Sequence, residues 1–120
     1  MTRILIVEDS APFRQSLRDL LANRFPLMEV GEAENGKQAF QEIHAAIPDL
    51  IFMDIRLPGQ SGLELCRRIK SDYPHIILVI LTSHDLPEYR QAARGCGANH
   101  FLSKTTSSEE VVRLIESIIC

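Results

Sequence analysis

Leu50-Ile51-Phe52-Met53-Asp54-Ile55-Arg56-Leu57-Pro58-Gly59-Gln60-Ser61-Gly62 decides the fold class. The run Leu50–Met53 has no polar position, as expected of a strand covered on both faces in a parallel sheet. Asp54 ends it. Pro58 and Gly59 turn the chain. Ser61 is a favourable N-cap for a helix whose apolar residues Leu63, Cys66 and Ile69 recur at helical spacing, before Pro74 stops it. A buried strand, a loop and an amphipathic helix form the repeating half of a βαβ unit.

The same alternation extends in both directions. Strands are predicted at 3–8, 28–33, 49–53, 76–81 and 99–103. Met28-Glu29-Val30-Gly31-Glu32-Ala33 alternates polar and apolar residues, which suits a sheet edge with one face partly wet. The first helix starts near Ser10, has Pro12 in its first turn, and lines up Phe13, Leu17, Leu20 and Leu21. The second starts at Gly36, turns Ala39, Phe40, Ile43 and Ile47 inward, and ends at Pro48. The fourth, 87–95, is short and polar and closes at Gly95-Cys96-Gly97. Ser107 or Ser108 caps the fifth, with Glu109 and Glu110 in its first turn and Val111, Leu114, Ile115 and Ile118 as its inner stripe. The expected class is α/β with five strands and five helices, and no repeat, linker or low-complexity stretch interrupts it.

The bulk properties agree with a single domain over residues 1–120. A chain of 120 residues with 45% hydrophobic content is long enough to bury roughly two-thirds of its unfolded surface. A net charge of -3 argues against nucleic acid or an anionic membrane as the main partner. The apolar runs are too short for a membrane span or a signal peptide. Cys66, Cys96 and Cys120 are odd in number and lack Cys-x-x-Cys spacing, so neither a disulfide framework nor a zinc site is expected, and a reducing, cytoplasmic setting is the default.

The chemistry-bearing residues sit where the strands end. Glu8 and Asp9 close the first strand and Asp54 the third; Thr82 follows the fourth and Lys104 the fifth. In open parallel sheets ligands bind outside the carboxyl ends of the strands, so these residues converge. Three carboxylates that face one another repel unless a cation lies between them, and Mg²⁺ prefers such oxygen ligands together with phosphate oxygens. A carboxylate can act as a nucleophile and form an acyl phosphate. The charge on the phosphoryl oxygens must then be neutralised, for which a lysine ammonium and a hydroxyl are suited. The four histidines show no metal-ligand spacing.

These positions resemble the receiver domain of bacterial two-component response regulators. The acidic pair after strand one, the string Asp54-x-x-x-Pro58-x-x-x-Gly62, Thr82-Ser83, and Gly97-Ala98-x-x-Phe101-Leu102-x-Lys104 are similar to that family's motifs over the whole chain. The resemblance implies a flavodoxin-like doubly wound five-stranded parallel sheet of order 2-1-3-4-5. It implies Asp54 as phosphoacceptor, and Mg²⁺ held by Glu8, Asp9, Asp54 and the Arg56 backbone carbonyl. Thr82 and Lys104 would contact the phosphoryl group, and Phe101 would be the switch aromatic. Arg56 and His84, two residues after Asp54 and Thr82, would tune the phosphoryl lifetime.

The implied partner is a sensor histidine kinase or phosphotransfer protein. The output surface would be helix four, strand five and helix five, and a homodimer could form on phosphorylation. No direct nucleic-acid or membrane binding and no enzyme activity beyond self-phosphorylation and dephosphorylation are implied. The family commonly has a proline after the lysine, often on a cis bond. Thr105 stands here, and cis before a non-proline costs about 3 kcal/mol, which leaves the geometry of that peptide open.

Three other readings are weaker. A flavin or nucleotide site needs a phosphate cradle after strand one, where Glu8-Asp9 would repel phosphate. A Mg²⁺-dependent phosphohydrolase needs a further acid/base, and the second residue after Asp54 is Arg56. A degenerate receiver that only binds proteins would not be expected to retain all five residues.

Overall fold

The structure, a computed structural model, describes residues 2–119; the readings that touch Met1 and Cys120 lie outside them. The elements of the main sheet alternate with helices: β1 Arg3–Val7, α1 Ala11–Arg24, β2 Glu29–Ala33, α2 Gly36–Ala45, β3 Leu50–Asp54, α3 Gly62–Asp72, β4 Ile77–Thr82, α4 Pro87–Gly95, β5 His100–Ser103 and α5 Ser108–Ile119. Counting only these strands, the sheet is parallel with order β2-β1-β3-β4-β5, as expected. The order reverses beside β1, so a crevice opens above the ends of β1 and β3.

Strand residues alternate between the two faces, and the core divides accordingly. Leu5, Val7, Ile51, Met53, Leu78 and Ile80 pack with Ile43 of α2, Leu65 and Ile69 of α3 and Ala93 of α4. Ile4, Ile6, Leu50, Phe52, Val79 and Leu81 pack with Leu17 and Leu21 of α1 and Ile115 of α5. Each fully buried aliphatic side chain contributes roughly 1.5–3 kcal/mol relative to leaving it in water. The central strands therefore form a rigid base for whatever their ends carry.

The helix starts follow the expected capping chemistry. Ser10, Asn35, Ser61 and Ser107 each accept a backbone N–H from the first turn of the helix that follows. The N-cap of α4 is Leu86, which makes no side-chain capping bond, and among the described residues Ala93 is that helix's one buried side chain. α4 is accordingly the most lightly held helix.

One expectation needs correction, and three details go beyond the sequence reading. Ile47 does not turn inward; it is 61% exposed, because α2 ends at Ala45 and Ala46 is already extended, so the helical phase does not reach residue 47. On α3, Leu65 is fully buried while Leu63 packs only partly, since the helix begins at Gly62 and the face toward the sheet is set by Leu65, Cys66 and Ile69. On α5, Val112 joins Ile115 as buried, whereas Val111, Leu114 and Ile118 lie half-covered against the core. Finally, the loop after Asp54 contains a two-residue antiparallel ladder in which Arg56–Leu57 pair with Gln60–Ser61. Gly59 turns it at φ 71°, a conformation that favours glycine. The described residues contain no cis peptide bond, so the Lys104–Thr105 peptide is trans.

Candidate functional site

Register brings the site together. Val7 lies beside Met53, so the next residues, Glu8 and Asp54, stand level with each other. Asp54 pairs with Leu81, and Thr82 with Ser103, which puts Thr82 and Lys104 on the same rim. Glu8 is fully buried, Asp54 is 7% exposed and Thr82 1%, while Asp9 is exposed. One carboxylate oxygen from each of Glu8, Asp9 and Asp54 lies within 4.8 Å of the others.

Lys104 reaches into this group from the end of β5. Its ammonium donates to Glu8 Oε1 in a tight ion pair and to Asp54 Oδ2 at 3.0 Å. It also lies 4.9 Å from the centre of the Phe13 ring, a favourable cation–π placement. Burial would lower the lysine pKa, but the hydrogen bonds and charges of Glu8 and Asp54 outweigh it and raise the pKa. The Glu8 carboxyl is raised as well, but here burial is the driving cause. Its burial, followed by the hydrogen bond and charge of Asp54, pushes its carboxyl up to about 7 despite the pull of Lys104. One ammonium is too little positive charge for three acids.

That shortfall bears on metal binding. Glu8 Oε2 is buried without a hydrogen-bond partner among the described residues, an arrangement that costs stability unless something accepts its lone pairs. A hard cation beside Glu8, Asp9 and Asp54 would satisfy it, and the all-oxygen donor set suits Mg²⁺.

The loop after β3 frames Asp54. The Arg56 backbone N–H donates to Asp54 Oδ1 at 3.2 Å, while the Arg56 guanidinium reaches across to donate to the Tyr89 hydroxyl on α4 at 3.0 Å. Gly62 is obligatory here: a Cβ on it would lie 2.0 Å from the Asp54 carbonyl oxygen. The Thr82 hydroxyl and the His84 backbone exchange 3.0 Å hydrogen bonds in both directions, and the His84 ring Nδ1 lies 3.2 Å from Ser83 Oγ. Phe101 is half-buried against the α2–α3–α4 side of the core. The Arg90 guanidinium sits 4.9 Å from the Phe101 ring centre and is held by a two-point contact, 2.7 Å each, with Asp85.

Glu8, Asp9, Asp54 and Lys104 therefore form one cluster with Thr82 on the same rim, Arg56 and His84 adjoin it through their backbones, and Phe101 lies lower, within β5 beside Ile80. Neither Tyr89, which holds Arg56, nor Arg90, which covers Phe101, was read as functional. Arg14 was also overlooked; its guanidinium binds the Glu8 backbone carbonyl at 2.7 Å. Each acts across a gap in sequence, and none belongs to a local motif.

Comparisons with known proteins give a consistent picture. Residues 4–116 match the response regulator receiver domain family. The DNA-binding transcriptional activator DevR/DosR of Mycobacterium tuberculosis is 34% identical over 118 residues, which cover 98% of this chain and 54% of that protein. A histidine kinase of Formosa agariphila is 36% identical over 118 residues, covering 97% of this chain and 8% of the kinase. Among solved structures, a DNA-binding response regulator of the LuxR family from Staphylococcus aureus superposes with a TM-score of 0.89 at 28% identity, covering 98% of each chain. The chain thus spans about half the length of the DevR/DosR relative. Among the described residues no helix is long and apolar enough to cross a membrane.

Proposed function

This chain belongs to the response regulator receiver domain family, and from that premise we propose that it is a switch in which Asp54 accepts a phosphoryl group from a sensor histidine kinase or phosphotransfer protein. The observation that carries the reading is the placement of Lys104, whose ammonium bridges buried Glu8 and Asp54. A carboxylate oxygen of Asp54 attacks the donor's phosphorus, the P–N or P–O bond of the donor breaks, and its electron pair leaves with the departing group. Lys104 then turns from the Asp54 carboxylate to a phosphoryl oxygen, as its point charge and long stem allow. The Thr82 hydroxyl leaves the His84 backbone to contact a second oxygen.

Mg²⁺, when bound by Glu8, Asp9, Asp54 and the Arg56 carbonyl, would neutralise the remaining phosphoryl charge. Phe101 would follow the Thr82 movement, and α4, β5 and α5 would present the changed surface, which could also be where two copies pair. The chain would be a single receiver domain working in the cytoplasm. It would lack nucleic-acid contacts of its own and catalyse nothing beyond its own aspartyl phosphorylation and dephosphorylation, whether alone or joined to an effector.

The test is incubation with acetyl phosphate and Mg²⁺, then with EDTA in place of Mg²⁺, followed by intact mass. The expected result is one acid-labile phosphoryl group with Mg²⁺ and little with EDTA. Equal phosphorylation in EDTA would overturn the metal-assisted reading.

A further inference from the structure

We propose that Arg14 is a positioning residue for the acidic end of β1, and that cation affinity at Glu8, Asp9 and Asp54 depends on it. The inference rests on the Mg²⁺ reading above.

β1 ends at Val7, so the Glu8 peptide lies beyond the regular ladder. Its N–H is still taken, donating to the Ala33 carbonyl at 2.9 Å. Its carbonyl is held from α1, where Arg14 Nη1 donates to it at 2.7 Å. The other two nitrogens of the same guanidinium are also engaged: Nε with Glu32 Oε1 at 3.2 Å and Nη2 with Glu34 Oε1 at 3.5 Å. The Arg14 side chain is only 14% exposed. Three donors in a rigid fork thus tie the end of β1, the end of β2 and the start of the β2–α2 loop into one block.

Asp9 gives that block its purpose. Its carboxylate makes no hydrogen bond among the described residues and is exposed. Where it points is therefore decided by the backbone that enters it, which is the peptide Arg14 holds. Groups that orient metal ligands without touching the metal typically affect affinity ten- to a hundred-fold.

Electrostatics alone predicts the opposite sign. Arg14 is a cation near a cation site, so removing it should tighten Mg²⁺ binding, and Arg14→Lys, which keeps the charge, should leave binding unchanged. Positioning predicts that Arg14→Met and Arg14→Lys both weaken binding, because an ammonium cannot reproduce the three-point fork. Arg18 supplies the control. It lies on the same helix and pairs with the same Glu32 at 2.5 Å, but the Glu8 carbonyl is bound by Arg14.

The experiment is calorimetric titration of Mg²⁺ into wild type, Arg14→Met, Arg14→Lys and Arg18→Met, with thermal melts in EDTA to confirm that each variant folds. The expected result is a dissociation constant raised about ten- to a hundred-fold in both Arg14 variants and within twofold of wild type in Arg18→Met. Tighter or unchanged binding in folded Arg14→Met overturns the positioning role, as does equal weakening in Arg18→Met. An absence of Mg²⁺ binding by wild type itself overturns the metal reading on which the inference stands.

Discussion

Replacing Glu8 by glutamine should make the metal-free protein more stable. Glu8 is fully buried, and burial with Asp54 alongside lifts its carboxyl from 4.5 to about 7. Its native pKa lies above its unfolded one, so the folded state holds the extra proton between these values. The stability present below pH 4.5 is lost as pH rises to 7 and stays lost above it. At 1.36 kcal/mol per pH unit, the liability is about 3 kcal/mol. Glutamine is neutral throughout and its oxygen can still accept from Lys104, so Glu8→Gln should gain about 3 kcal/mol over wild type at pH 8 and almost nothing near pH 4. For 120 residues, an unfolding entropy near 2.1 cal/mol/K per residue turns this into a Tm increase of about 12 °C. The assay is thermal unfolding by circular dichroism in EDTA at pH 4, 6 and 8. It is then repeated in saturating Mg²⁺, which should stabilise wild type more and narrow the gap. A variant no more stable than wild type at pH 8 in EDTA would refute the reasoning.

Other outcomes follow from the same geometry. Gly62→Ala should lower stability by about 3 kcal/mol, since the added Cβ meets backbone 2.0 Å away and backbone cannot yield as a side chain can; an unchanged urea midpoint would contradict this. Arg56→Ala and His84→Ala should each change the half-life of the phosphorylated protein by more than twofold, because the Arg56 side chain spans from the Asp54 loop to Tyr89 and the His84 ring meets Ser83 Oγ next to Thr82. Half-lives within twofold of wild type in both variants and the double variant would leave the loop backbone in control. Beryllofluoride with Mg²⁺ should shift amide resonances from Ser83 through Ser103, including α4; shifts confined to the loops at Asp9 and Asp54 would leave no switch.

The sheet and the rim were legible because both depend on strong local contrasts. Leu50–Met53 has no polar residue and Asp54 follows at once, so strand and site are marked by a single step in polarity. The strand order was not in the periodicity; it entered through the resemblance and is matched by the register. Helix faces were less legible at their ends. Ile47 was assigned by extending a helical phase beyond the residue where the helix stops. Val112 is buried more deeply than Val111, and spacing alone does not say which of two adjacent apolar residues the sheet covers. The ladder of Arg56–Leu57 with Gln60–Ser61 is too short to carry a period. Arg14, Tyr89 and Arg90 act on residues that the fold brings near, and a surface arginine or tyrosine on a helix has no local mark of such a partner.

The central claim is that Asp54 is the phosphoacceptor, and intact mass with site mapping tests it most directly. Wild type and Asp54→Asn would be incubated with acetyl phosphate and Mg²⁺, then digested under conditions that preserve acyl phosphates. The account predicts one acid-labile phosphoryl group on the peptide that contains Asp54 in wild type and none in Asp54→Asn. The same gain at the wild-type rate in Asp54→Asn would contradict it.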